Sequence, residues 1–287
     1  MNMRDHLDIN AIGGLCNRMR AIATACRLAS ASDRRLRVIW HSSDELRAPF
    51  NELFCPLPDD ITLYEPSDVE YALKWEMPRK KNLYASAIYQ TLAYKAVYSD
   101  TSNLIGYCGR DEALRQEIYS MKGNILIISG LSIGGYDAER MRMMFKPSQA
   151  VAKIIESRTS RFDAHTVGVH IRRTDNVRSI EDSPLHLFVG EMERILQQEP
   201  LTRFFLATDD AGVMRELTGR FGDKIICGDD NVSRDTLRGM MHATADLWAL
   251  ASTSRILGSF YSSFTDLAAV LGDTPLQIMV SPDSRDR

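Results

Sequence analysis

The chain has 287 residues, 44% hydrophobic and 25% charged, with a formal net charge of -3 at pH 7. That balance belongs to soluble globular proteins, and the length suits two domains of ordinary size. A slightly acidic chain excludes a nucleic-acid backbone as partner, so an anionic ligand has to be met locally by clustered arginines.

Residues 8–12 read as a strand that breaks at Gly13 and Gly14, and residues 17–31 follow as a helix with Met19, Ile22, Ala23, Cys26 and Leu28 for its buried face. Residues 36–40 supply the next strand, so the amino-terminal part opens as a βα unit. Residues 43–98 are aromatic and interrupted by Pro49, Pro56, Pro58, Pro66 and Pro78. Loops and short helices are expected there, with tyrosines as packing residues or substrate walls. Residues 124–129 form the last strand of the first half, and Pro147 is expected in the first turn of a helix over 148–161. From there, strands at 166–171, 203–207, 224–226, 254–258 and 276–280 alternate with helices at 185–198, 210–220, 235–251 and 262–271, as in a parallel doubly wound domain. The five cysteines are scattered, odd in number and without C-x-x-C spacing, which gives neither a zinc site nor a disulfide framework. With no apolar core of signal-peptide length and no apolar run of about 18 to 20 residues, a cytoplasmic protein is expected, with peripheral membrane contact left open.

Chemistry concentrates at four places. The turn Gly13-Gly14-Leu15-Cys16-Asn17-Arg18 puts flexible residues before a helix N-terminus, where backbone amides and the helix dipole favour an anion. The run HTVGVHIRRTD at 165–175 is a strand ending in Arg172 and Arg173, whose guanidinium forks match a bidentate phosphate. Asp175 follows closely enough to orient a guanidinium or cap the turn. Residues 207–210, Ala-Thr-Asp-Asp, end another strand; such acids hold a divalent ion or, more commonly, cap the next helix and brace arginines. The fourth place runs from Asp246 to Asp266, where serines open a helix.

In order and spacing, VGVHIRRTDN, FFLATDD, DTLRG and DLWALASTSRILGSFYSSFTDLAAVLG resemble the nucleotide-binding half of the α-1,6-fucosyltransferases, and GGLCNRMRAIA is similar to the glycine loop of the wider fucosyltransferase superfamily. The resemblance is specific over about residues 165–272 and covers little earlier besides residues 11–24. It implies an α/β protein of GT-B type, two Rossmann-like domains facing a central cleft, with residues 1–146 on the acceptor side and 147–287 binding the nucleotide sugar. The implied donor is GDP-fucose, the acceptor a carbohydrate, with no metal and no other cofactor. Carried across by position, Arg172 is the arginine on the β-phosphate and Arg173 its neighbour. His170 and Asp246 stand at the guanosine contacts, and Ser262 with Ser263 on the phosphate side. Gly14 and Asn17 belong to the glycine loop. Departure of GDP builds charge on the β-phosphate, so a fixed arginine there stabilises the transition state more than the ground state and takes over a metal's task.

Inversion at the sugar also needs a base. The α-1,6 enzymes carry a glutamate a few residues after HxRRxD, whereas here the carboxylates fall one or two positions late, at Glu181 or Asp182. Asn176 replaces the family's lysine, with Arg178 nearby. Two other readings fit the same residues: the same fold with another nucleotide sugar, and a non-catalytic GDP-binding protein that lacks the base. A Rossmann oxidoreductase is disfavoured, because no glycine fingerprint is followed by an acid about 20 residues on.

Overall fold

A computed structural model describes residues 5–101, 103–104, 110–173, 177–228 and 235–281. The chain divides into two compact units, Met1–Ser148 with Asp235–Met240, and Gln149–Arg234 with Met241–Arg287.

The first unit contains β1 (His6–Ala11), α1 (Leu15–Ala31), β2 (Arg35–Ile39), α2 (Phe50–Leu53), β3 (Ile61–Tyr64), α3 (Asp68–Lys74), α4 (Ala87–Ala93), β4 (Ala96–Ser99), α5 (Asp111–Ser120), β5 (Ile125–Ser129) and α6 (Ala138–Met144). Its strands are all parallel, in the order β3-β2-β1-β5-β4. The chain therefore winds outward from β1 through β2 and β3, then returns to the other side of β1. The strand order reverses between β1 and β5, which opens a crevice beyond their carboxyl ends. Strands β3 and β4 lie where loops and short helices were expected. At four residues each they are too short to register as alternation, and it is pairing with β2 and β5 that makes them strands. The aromatic segment packs one sheet face: Trp75 and Tyr94 are buried with Ile39, Leu126 and Ile128, and Tyr64, Tyr71 and Tyr89 close over them.

The second unit contains α7 (Gln149–Thr159), β6 (Thr166–Ile171), α8 (Val177–Asp182), α9 (Leu185–Gln198), β7 (Arg203–Thr208), α10 (Ala211–Phe221), β8 (Ile225–Ile226), most of α11 (Leu237–Ala251), β9 (Ile256–Ser259), α12 (Ser263–Gly272) and β10 (Leu276–Met279). Its sheet is again all parallel, in the order β10-β9-β6-β7-β8. All six residues of β6 are buried, as expected for a strand covered on both faces. Val167, Val169 and Ile171 pack with Phe188 and Met192 of α9 and Leu217 of α10. On the opposite face Gly168 meets α11 so closely that a Cβ there would sit 2.9 Å from Leu250 Cδ2, and 2.8 Å from Oγ1 of Thr253 just past the helix. Pro147 is not in the first turn of α7: the helix begins at Gln149, and Pro147 instead forms a bridge with Phe54. Among the described residues no helix is long and apolar enough to cross a membrane.

Candidate active site

In the second unit the strand order reverses between β6 and β9, and both strands deliver polar residues to that point. Arg172 and Arg173 leave β6 at its carboxyl edge. Ser259 ends β9, is fully buried, and uses one hydroxyl twice: it accepts the Arg172 amide at 3.1 Å and donates to the His170 carbonyl at 3.3 Å. The backbone that carries Arg172 is therefore fixed from the neighbouring strand. Arg173 is built into the scaffold. Its amide donates to Asp209 Oδ1 at 2.7 Å, and its guanidinium donates to the carbonyls of Ile180 at 3.0 Å and Ser183 at 2.7 Å. Burial lowers its pKa, against the opposing charges of Asp209 and Asp210. Asp210 caps α10 by accepting the amides of Gly212 at 2.6 Å and Val213 at 3.1 Å. Both aspartates thus accept backbone amides, the capping and bracing role.

The loop from β9 to α12 supplies the other wall. Tyr261 has φ of 52°, a left-handed conformation that costs a non-glycine residue about 1 kcal/mol or more. It delivers Ser262 as the N-cap of α12, but the Ser262 hydroxyl does not cap the first turn; it lies 3.5 Å from His170 Nδ1. The helix dipole at this end of α12 favours an anion. Ser263 is half-buried as the first residue of that helix. Arg178 of α8 lies over the Tyr261 ring at 5.3 Å.

The imidazole of His170 is buried. It is 2% exposed, bonded through Nδ1 to Thr265 Oγ1 at 2.7 Å and stacked on Phe264 at 4.8 Å. It joins β6 to α12. Asp246 sits on α11, ion-paired with Arg158 at 2.8 Å, and its side chain is partly exposed. Glu181 and Asp182 end α8; Glu181 is exposed, while Asp182 is half-buried and its carbonyl accepts the Ser281 amide at 2.8 Å. Asp175 lies outside the described residues.

The glycine turn of the first unit lies between β1 and α1, as the sequence leads one to expect, and the anion at its Gly13 amide comes from the protein itself. Gly13 has φ of 83°, and its amide donates to Glu45 at 3.0 Å, so a protein carboxylate already meets one of the turn's amides. Gly14 is the N-cap of α1, and Asn17 Oδ1 accepts from Arg20 at 3.0 Å. Arg18 cinches the turn. It is 2% exposed and donates to the Gly13 carbonyl, the His41 carbonyl and Ser43 Oγ at 2.7, 2.7 and 2.8 Å. Burial lowers its pKa to about 10, with Tyr71 and Glu45 opposing. Around it opens a cavity of about 760 Å³ at the carboxyl edge of this sheet. There the His41 ring stacks on Tyr71 at 3.9 Å, and its Nε2 lies 2.8 Å from Asp68 Oδ1. A flat ring face bordered by acids and guanidinium groups suits a hydroxyl-rich ligand. His41 escaped sequence reasoning, although its place directly after the strand expected at 36–40 was a usable signal.

Residues 135–240 match the family model described as alpha-(1,6)-fucosyltransferase N- and catalytic domains. That stretch includes Arg172, Arg173, Glu181 and Asp182 and ends before Asp246. No curated protein matches the chain. Among solved structures it is similar to NodZ alpha-1,6-fucosyltransferase soaked with GDP-fucose, at 19% identity and a TM-score of 0.63 over 93% of each chain. The fucosyltransferase NodZ from Bradyrhizobium aligns at 18% identity and a TM-score of 0.61, again over 93% of each chain. A FUT1 mutant of Arabidopsis thaliana in complex with GDP aligns at 16% identity and a TM-score of 0.66, over 98% of this chain and 72% of the other. The chain has the α/β fold of the GT-B fucosyltransferases, built on two parallel sheets. Over residues 135–240 its sequence is α-1,6-fucosyltransferase-like.

The placement of α12 depends on Gly258. A Cβ at that position would lie 2.0 Å from Cγ2 of Thr265, a buried residue held by His170. Gly258→Ala is expected to push α12 off the sheet, lowering stability by about 1 to 3 kcal/mol and weakening diphosphate binding at the helix N-terminus. Thermal denaturation and calorimetric titration read the two effects, and unchanged diphosphate affinity would remove α12 from the site.

Proposed function

We propose that the protein is an inverting glycosyltransferase that moves L-fucose from GDP-fucose to a hydroxyl of a glycan or oligosaccharide, without a metal ion or other cofactor. The observation that carries this reading is the convergence, at one sheet's switch point, of Arg172 with the amide-bearing N-terminus of α12. Arg172 meets the β-phosphate, and the amides at Ser262 and Ser263 meet the same diphosphate. Asp246 contacts the guanine, and Arg173 braces the segment that follows β6. The acceptor oxygen attacks the anomeric carbon, the bond to GDP breaks, and its electron pair goes to the β-phosphate oxygen. The hydroxyl proton passes to Glu181 or Asp182. Metal independence is supported by the use of Asp209 and Asp210 on backbone amides. The first unit supplies the acceptor side, the protein works in the cytoplasm, and an acceptor on a membrane surface fits the same chemistry.

The test is a panel of GDP- and UDP-sugars read by thermal shift, followed by product mass analysis. A donor at 100 times its dissociation constant stabilises by about 2.7 kcal/mol. GDP-fucose is expected to give the largest shift and a fucosylated product with GDP released. A larger shift with a UDP-sugar would replace the donor. GDP binding with neither transfer nor donor hydrolysis would make the protein a non-catalytic GDP binder.

A further inference from the structure

Arg158 stands one position before the end of α7, is 5% exposed, and reaches across to α11. Its Nη1 donates to Asp246 Oδ1 at 2.8 Å and to the His242 carbonyl at 2.8 Å, and its Nη2 meets His242 Nδ1 at 3.1 Å. His242 and Asp246 are four residues apart and so share one face of α11. A guanidinium only donates, so Nδ1 of His242 is the acceptor and the ring is the neutral tautomer with its proton on Nε2. The side chain passes Gly228 with little room: a Cβ there would lie 3.0 Å from Nη2 and 3.2 Å from Nε. Beyond it lies a cavity of about 230 Å³ lined by Arg158, Arg161, Cys227, Gly228 and His242. A buried guanidinium carries a large desolvation cost, and a hydrophobic side chain would fill the same place more stably. Its partner differs from it in one respect: the Asp246 side chain is 28% exposed against 6% for Arg158. The arginine therefore holds from the buried side a carboxylate that still reaches the surface.

We infer that Arg158 is a positioning residue that sets nucleobase selectivity through Asp246, an inference that rests on the donor reading above. An ionised carboxylate can only accept. Guanine offers two adjacent donors, its ring N–H and its 2-amino group. Adenine offers one amino donor beside a ring acceptor, and uracil flanks its ring N–H with carbonyls. Selection of guanine thus requires that Asp246 be ionised and held in one rotamer. Arg158 supplies both conditions, the first by charge and the second by a fork anchored on the His242 carbonyl and ring. When the arginine is truncated, the neighbouring cavity lets water replace it, so the fold survives while the carboxylate loses its fixed direction.

The experiment titrates the full chain with GDP, IDP, ADP and pyrophosphate by calorimetry, using wild type, Arg158→Ala, Arg158→Lys and Asp246→Asn, with circular dichroism to verify folding. IDP lacks the 2-amino group, and pyrophosphate lacks the base. Wild type should prefer GDP over ADP and over IDP by about tenfold or more, the worth of a good paired contact to a base edge. Arg158→Ala should erase most of both preferences, as Asp246→Asn does, while pyrophosphate affinity stays within about twofold, since no base contact is involved. Arg158→Lys keeps the charge but not the fork and should fall between them; it carries the test if the alanine variant does not fold. A GDP-to-ADP ratio unchanged in both Arg158 variants, or an equal loss for GDP, ADP and pyrophosphate, overturns the inference and leaves the donor reading standing. A wild type that shows no preference for GDP overturns both.

Discussion

Arg172→Ala is expected to lower the rate of sugar transfer by about 10²- to 10³-fold, the usual effect of removing one donor aimed at developing charge. The leaving diphosphate gains charge as the anomeric bond breaks, so a guanidinium at the β-phosphate gains most in the transition state, and the loss falls chiefly on kcat. Each charge-assisted hydrogen bond lost is worth about 1.5 to 3 kcal/mol. Stability should barely change, because the residue lies past the end of β6 and its backbone amide keeps the Ser259 hydroxyl whatever the side chain. Arg172→Lys retains the charge but not the bidentate fork and should recover only part of the rate. Single-turnover transfer together with a thermal melt separates the two quantities. Near-normal turnover in a folded Arg172→Ala protein would withdraw the phosphate role and the transferase reading with it.

That Arg172 was legible in the sequence and its surroundings were not has a physical basis. Strand β6 and helix α9 occupy the residues expected, 166–171 and 185–198, because a valine and isoleucine alternation and a long amphipathic run are local signals. A strand ending in two arginines then locates the carboxyl edge. The role of Arg173 is set by where its hydrogen bonds go. Arg173 is spent on carbonyls seven and ten residues away, an outcome decided by the fold of α8 and invisible in the string RRTD. His170 is claimed by Thr265, 95 residues on. The Arg158 to Asp246 pair spans 88 positions, and the stacking of His41 on Tyr71 joins the ends of a loop-rich segment. None of these is periodic, so periodicity cannot find them. Strands β3 and β4 were hidden for a related reason, since their neighbours in the sheet, rather than their own four residues, make them strands.

The largest stability effect should come from Asp8, which has no part in the proposed chemistry. It sits on β1 at the centre of the first unit's sheet, is fully buried, and receives Arg37 Nε at 2.9 Å and Nη2 at 2.5 Å. The Tyr94 hydroxyl donates to the same carboxylate and accepts from Trp75 Nε1 at 3.0 Å. Burial alone would lower the Arg37 pKa, but the hydrogen bond and charge of Asp8 outweigh it and raise the value. For Tyr94, burial and the Asp8 charge act together to raise it, so the phenol stays protonated and donating. One carboxylate thus satisfies two elements beyond β1: β2 through Arg37, and the residue after α4 through Tyr94. Asp8→Ala leaves the buried Tyr94 hydroxyl without its acceptor and Arg37, whose Nη2 also meets His6 Nε2 at 3.2 Å and whose side chain is 29% exposed, without its charge partner. It should cost about 3 kcal/mol, the lower end of the penalty for removing one member of a buried ion pair, since water reaches the guanidinium. In a unit of this size that lowers the melting midpoint by roughly 6 to 12 °C. Asp8→Asn keeps an acceptor oxygen but loses the charge, and should fall between alanine and wild type. Differential scanning calorimetry of the three proteins decides the matter: an Asp8→Ala midpoint within about 2 °C of wild type, less than 1 kcal/mol on this scale, would mean that water replaces the carboxylate and that β1 is held by apolar packing alone.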